Sequence, residues 1–407
     1  TRLDIGFEEA RALTLAAIRL LPSEALAPAD AVARIAAEDL VARIDCPGAT
    51  LSARDGFAVC SQSLREASPE RPVRLKVTAE AVAGQVAEVR LEAGGAVRIT
   101  TGALLPAGAD AVLSSEFASD EGSSVLCLRD AGPGRNLLRR GSEVAAGELL
   151  LSAGSRVTPA VAGLAAASGL DEIRVMRRPR VGLLATGDEV VAPGRPLRPG
   201  EVYASNLVTL LGWLRHAGME GETLVAGDAP ESIATAAATL LSRVDVLLTS
   251  GGAWKSARDL TPSVLQQMGW CPSYHRVRMG PGKAVAFGLM GAKPCFCLPG
   301  GPASNEMAFL QLALPALRRM SGLDPSPLPV TTCVLAEPVT GEPDWTQFFP
   351  VRLTGATQLP SAHPMALRNR LRARAEATGL LCLPEGSDRL EAGATVQVQL
   401  LPCSATG

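Results

Sequence analysis

Between residues 180 and about 320, apolar stretches of strand length alternate with amphipathic stretches of helix length. This pattern constrains the fold more than any other in the chain. "RVGLLAT" meets Gly187-Asp188-Glu189, "ETLVA" meets Gly227-Asp228, "VDVLLTS" meets Gly251-Gly252, and "CFCL" meets Pro299-Gly300-Gly301-Pro302. Helices are expected over about 205–216, 230–242, 261–268 and 303–320, with short strands around 276–279 and 284–287. A repeated strand–loop–helix unit predicts a mostly parallel sheet with helices on both faces.

The rest of the chain has other textures. At 407 residues it is too long for one ordinary core. Residues 7–21 and 28–41 carry apolar residues at helical spacing. From 46 to about 138 there are short β-like runs, such as "VRLKVTA" and "AVLSSE", between Gly and Pro clusters. Residues 158–170 predict a helix, with Thr158 as cap, Pro159 at the first position and Gly169 at the stop. "GLDPSPLP" at 322–329 reads as a linker, and 330–402 as a small β domain. The expected fold class is multidomain α/β and β. Its parts are a split mixed helical domain (1–45 with 140–177), a β insertion (46–139), a central α/β domain (178–322) and a C-terminal β domain (323–407).

Charge and composition exclude several classes. With 39 basic and 41 acidic residues the net charge is −2, so no nucleic-acid partner is expected. No apolar run reaches the ~18–20 residues that span a bilayer, so no membrane partner is expected either. No secretory signal is visible at the N-terminus. The nine cysteines form no CxxC pair and read as reduced, mostly buried thiols of a cytoplasmic protein. His216, His275 and His363 are scattered, which argues against a zinc site. The run Arg368, Arg370, Arg372, Arg374 reads as a solvated helix face or a dimer contact.

In an open parallel sheet, ligands bind where the carboxyl ends of strands meet the following loops. Glycines there let backbone N–H groups approach phosphate oxygens. Thr249 and Ser250 add hydroxyls, and Lys283 of "MGPGK" adds a point charge. Asp188, Glu189, Asp228 and Asp259 stand among these anion-holding groups. Carboxylates beside a phosphate need a cation between them, and Mg²⁺ is the usual one. The set predicts metal-assisted chemistry on a phosphorylated ligand. There is no GxxxxGK[ST] and no GxGxxG opening a helix, which excludes a P-loop and a dinucleotide fingerprint.

Several long motifs, in order along the chain, resemble the MoeA/gephyrin-type molybdopterin molybdenumtransferases, the molybdenum insertases. They are "SARDGFAV" (52–59), "AVRITTGALLPAGADAVLSSE" (96–116), "RPRVGLLATGDEVVAPGRPLRPGEVYASN" (178–206), "TSGGAWKSARD", "MGPGKAVAFG" and "LPGGPAS". The resemblance implies an α/β molybdopterin-binding domain, a β-barrel-like C-terminal domain and a homodimer whose site is shared across the interface, with Asp55 and Thr101 reaching over it. It implies molybdenum cofactor biosynthesis: molybdate is inserted into adenylylated molybdopterin and AMP is released. Molybdopterin-synthesis proteins are the implied partners. Glu189, Asp228 and Asp259, with Asp188, carry over as carboxylates near metal and substrate. Lys283, Ser250, Gly251 and Gly252 carry over as holders of anionic groups. Pro281, Gly282, Pro299, Gly300 and Pro302 carry over as pocket-shaping residues.

The chain departs from the pattern at Gly280, Ala284 and Gly301, at Trp254 and Ser256, at Glu143, and at Trp345, near which the family usually offers an arginine. The family position at Gly280 is usually basic, so with the arginine two charge-assisted hydrogen bonds of about 1.5–3 kcal/mol each are lost, which weakens anion binding by ~10²–10⁴ where nothing replaces them. Lys255, Arg258, Arg276 and Arg278 are the candidates to compensate. The departures leave an alternative: a non-catalytic relative that binds molybdopterin or its molybdenum cofactor as carrier or scaffold. A remoter one is a different phosphorylated ligand, with Trp254 stacked on a ring.

Overall fold

The alternation folds into the sheet it predicts. The computed structural model describes residues 1–85, 89–251, 260–326, 328–355, 359–366 and 370–402. Its strands Glu220–Ala226, Arg180–Thr186, Val246–Ser250 and Lys293–Leu298 lie side by side in that order, all parallel. Ala286–Met290 pairs antiparallel with Lys293–Leu298, and Trp270–Gly280 pairs antiparallel with Ala286–Met290.

Helices cover both faces, and the side-chain alternation shows it. Leu183 and Leu248 share a core with Leu207, Leu210 and Leu214 of the helix Ser205–His216. Their neighbours Leu184 and Leu247 share another with Ile233, Ala237 and Leu240 of the helix Pro230–Leu241. A strand covered on both faces reads as a continuous apolar run, and Val246–Ser250 is buried at every position. The edge strand Glu220–Ala226 instead exposes Glu222 and Thr223.

The chain divides into two units, Ser23–Val175 and Thr1–Pro22 with Met176–Gly407. In the larger, the C-terminal strands Thr346–Thr354, Ser361–Pro364, Val330–Leu335, Thr395–Leu400 and Gly379–Leu383 pair in sequence, and the last returns to the first, closing a barrel. The smaller contains a six-stranded sheet in the order Ala111–Ser114, Gly56–Val59, Gly95–Ile99, Val73–Ala81, Ser124–Cys127, Ala118–Asp120. It also contains the helix Pro159–Ala167, where the Val161 N–H donates to Thr158 Oγ1 at 3.2 Å.

Some expectations do not hold. Residues 28–41 form turns and end in the two-residue strand Leu40–Val41, not a helix. Ala31, Ile35, Ala36 and Leu40 are buried as a helix face would be. Yet the backbone bonds outward: Ala33 N–H to Val157 O at 2.8 Å, Ala36 N–H to Ser155 O at 2.9 Å, Ala37 N–H to Arg174 O at 2.9 Å. Ala33 is left-handed at φ 65°. Tertiary pairing has overridden the spacing. The chain also opens with a strand, Arg2–Gly6, that the helical texture hid; it pairs in parallel with Trp270–Gly280.

Among the described residues every cysteine is free, with Cys127, Cys295, Cys297 and Cys333 buried and Cys271 exposed. No helix of the described residues is long and apolar enough to cross a membrane.

Candidate functional site

The parallel strands send the loops at 187–189, 227–228, 251 and 299–301 out by one edge. Trp270–Gly280 is two antiparallel steps from Lys293–Leu298, so its loop, Pro281 to Lys283, leaves by that edge too. Among the described residues two cavities that open there share Gly300. One, of about 650 Å³, lies between Met279–Ala284, Pro299–Gly301 and the segment holding Glu342, Trp345 and Gln347. The other, of about 480 Å³, is lined by Thr186, Glu189, Tyr203, Asn206, Ser250, Gly251, Pro302 and Leu371, among others.

Lys283 is the expected cation of the first cavity. Its ammonium lies over the Trp345 ring, 4.6 Å from the centroid, a cation–π contact. Trp345 thus meets the lysine directly, at the departure noted in sequence. Gln347 Oε1 accepts the Glu342 N–H at 2.7 Å. Its amide is thereby oriented, and Nε2 lies on the Gly280 side. Gly280 and Gly301 leave room in the lining rather than charge.

In the second cavity Ser250 Oγ accepts two amides, Asn206 Nδ2 and Asn305 Nδ2, each at 3.0 Å. Gly251 must be glycine: its φ is 104°, and a Cβ there would lie 2.7 Å from Thr186 O. Glu189 lines the same cavity. Asp188 points to the neighbouring loop, where its Oδ1 accepts the Asp228 N–H at 3.0 Å. Asp188 and Glu189 are exposed and Asp228 is half-buried. Among the described residues no three His, Cys, Asp or Glu side chains form a metal cluster. Exposed carboxylates on adjacent loops suit Mg²⁺ instead, which commonly takes one or two carboxylates, water and a substrate phosphate.

In the smaller unit Asp55 Oδ1 accepts the Thr101 N–H at 2.6 Å and the Thr101 hydroxyl at 2.9 Å. These bonds, the backbone one foremost, hold the Asp55 carboxyl below the usual carboxylate range. The following Gly56 is demanded by close packing, since a Cβ would lie 2.0 Å from Leu113 O.

Other expected residues line neither cavity. Thr249 is fully buried and lines neither cavity. It pairs across the sheet with Cys297, whose thiol burial pushes up to about 12 against the effect of Thr249. Arg276 and Arg278 line neither cavity and are held in ion pairs instead. Arg276 pairs with Asp4 at 2.8 Å; Arg278 donates to Asp4 O at 2.8 Å and pairs with Glu385 at 2.5 Å. In the basic run, Arg374 is buried against Glu306 at 2.8 Å, and Glu306 also accepts the Trp213 indole N–H at 2.7 Å. Gly252, Trp254, Lys255, Ser256, Arg258, Asp259 and Arg368 lie outside the described residues.

The reading from sequence missed Asn206, Asn305 and Gln347. The available signal was polarity in the wrong place: Asn305 stands at the head of the helical stretch that carries the apolar run 307–310.

This edge, with its glycine loops, lysine and carboxylates, belongs to an α/β domain of the molybdopterin-binding class. Residues 182–319 match the family profile described as a probable molybdopterin binding domain. Residues 5–169 match the MoeA N-terminal region (domain I and II), and 332–401 the MoeA C-terminal region (domain IV). Molybdopterin molybdenumtransferase 2 of Mycobacterium tuberculosis is 34% identical over 366 residues, covering 88% of this chain and 90% of that protein. The Bacillus subtilis molybdopterin molybdenumtransferase is 31% identical over 388 residues, covering 93% and 90%. The crystal structure of a molybdopterin biosynthesis MoeA protein from Pyrococcus horikosii superposes with a TM-score of 0.82 at 32% identity, covering 98% of this chain and 99% of that one. The chain belongs to the MoeA-type molybdopterin molybdenumtransferases, enzymes of molybdenum cofactor biosynthesis.

Proposed function

We propose that the protein inserts molybdenum from molybdate into adenylylated molybdopterin and releases AMP. The observation that carries this reading is the convergence of Lys283, Ser250 and the carboxylates of Asp188, Glu189 and Asp228 on one edge of the sheet. Lys283 supplies positive charge for an oxyanion, and Ser250 a hydroxyl for a phosphate or pterin oxygen. Asp188, Glu189 and Asp228 would hold Mg²⁺, which when bound neutralises phosphate charge and polarises the phosphorus. Asp259, Gly251, Gly252, Pro281, Gly282, Pro299, Gly300 and Pro302 complete the proposed site, and Asp55 with Thr101 belongs to the same reading.

The chemistry balances without an oxidant. One water cleaves the phosphoanhydride, giving AMP and the pterin phosphate. Two thiols join molybdenum, and their protons leave with one oxo group as water. Relatives that bear the transferase name along nearly their whole length favour turnover over mere carriage. The reading also takes the protein as a cytoplasmic homodimer supplied by molybdopterin-synthesis proteins.

The test is to mix purified protein with adenylylated molybdopterin, molybdate and Mg²⁺ and follow AMP by chromatography. AMP released in step with enzyme and Mg²⁺ supports the reading. Tight binding by calorimetry with no AMP, beside an active family member, returns the protein to the carrier alternative.

A further inference from the structure

The oxygen of Ser250 is held in an unusual way. A hydroxyl has one hydrogen to donate and two lone pairs to accept with. Here both lone pairs are engaged, by Asn206 Nδ2 and Asn305 Nδ2, each at 3.0 Å. Neither amide is free to turn. Asn206 Nδ2 also donates to Gly300 O at 2.8 Å, and Asn305 Nδ2 to Pro299 O at 2.9 Å. A carbonyl oxygen only accepts, so each amide nitrogen must face it, and the same nitrogen then faces Ser250. Among the described residues nothing accepts from the Ser250 hydroxyl. Asn305 is 1% exposed and Ser250 5%, so water competes poorly for these bonds, while Ser250 still lines the second cavity.

We propose that Asn206 and Asn305 are positioning residues that make Ser250 an obligate hydrogen-bond donor into the second cavity, for an anionic or carbonyl oxygen of the bound substrate. Both amides also grip the carbonyls of Pro299 and Gly300, so this device ties the strand end at Ser250 to the loop that walls both cavities. A preorganised donor needs no reorientation when the ligand arrives, which is where such groups gain their effect. The inference rests on the proposed function, because it takes the ligand to be adenylylated molybdopterin. It assigns the two asparagines a part that the resemblance does not give them.

The experiment is a double-mutant cycle on the full chain, read as the calorimetric Kd for adenylylated molybdopterin and as kcat/KM for AMP release. Ser250→Ala removes the donor and should weaken binding by about tenfold or more. Asn305→Asp places an acceptor beside Ser250, turns the hydroxyl inward and should cost as much. In the Ser250→Ala background Asn305→Asp should cost clearly less than in wild type, the remainder being its lost bond to Pro299 O. Ser250→Thr should recover most of the affinity. Asn206→Ala, at a half-buried position, carries the test if Asn305→Asp fails to fold; it should weaken binding about threefold to tenfold in the wild-type background and clearly less with Ser250→Ala, where only its bond to Gly300 O is lost. Full additivity, or Ser250→Ala and Asn206→Ala both binding like wild type while wild type turns over, overturns the inference and leaves the function standing. Wild type that neither binds nor turns over overturns both.

Discussion

Glu306 is the acceptor at the centre of a buried polar cluster, and its removal has a calculable consequence. Arg374 is 8% exposed and Glu306 14%; guanidinium Nη2 and Nε reach the two carboxylate oxygens at 2.8 and 2.9 Å. The Trp213 indole donates to the same carboxylate. Glu306→Leu would strand a buried guanidinium and a half-buried indole N–H together. Breaking one side of a buried pair costs about 3–5 kcal/mol. The effect should concentrate on the helix Arg370–Glu376, whose Leu371 lines the second cavity. Hydrogen exchange followed by mass spectrometry reads it locally: amides of that helix should exchange about 10²–10⁴-fold faster. Replacing both partners, Glu306→Leu with Arg374→Met, should recover most of the protection, because a well-packed apolar pair pays no desolvation penalty. Exchange within about tenfold of wild type for the single variant, or a double variant no better protected than the single, would refute the reasoning.

Three further outcomes follow from the geometry. Gly251→Ala would force a Cβ against Thr186 O at a left-handed backbone; thermal melting should show a loss of about 1–3 kcal/mol, with substrate affinity falling in parallel. Trp345→Ala removes the ring beneath the Lys283 ammonium; the KM for molybdate should rise about threefold to tenfold, and Trp345→Phe should restore most of it. The third concerns acid. Burial raises the Asp245 carboxyl, but Arg177 and the Arg180 N–H outweigh it and hold the group below the usual range. Its stabilisation is therefore fully present above the unfolded value of about 3.9 and is lost as pH falls from there through the lower folded value. Asp245→Asn should be less stable than wild type at neutral pH in urea titrations, and the difference should shrink across that acid window.

The parallel sheet was legible because its strands, covered on both faces, write themselves as unbroken apolar runs such as "VLLTS" that stop at glycine. The loops were legible because glycine, lysine and carboxylate together narrow the chemistry. Residues 28–41 were not legible, since burial of Ala31, Ile35, Ala36 and Leu40 gives the same spacing whether the backbone bonds to itself or to residues 155–174. Arg2–Gly6 was hidden by the helix that follows it. Thr249 and Ser250 look alike in sequence, yet strand alternation turns one toward Cys297 and the other into the cavity. Arg374 looks like surface charge, and only its partner Glu306, distant in sequence, says otherwise.

The central claim is that the chain makes finished molybdenum cofactor rather than only holding its precursor. The direct measurement is reconstitution: incubate the protein with adenylylated molybdopterin, molybdate and Mg²⁺, add a molybdenum enzyme stripped of its cofactor, and follow the activity that returns. The account predicts activity that scales with this protein and needs molybdate, and that drops sharply with Lys283→Ala. Activity that never exceeds the level without this protein, while a related transferase restores it in the same mixture, would contradict the account.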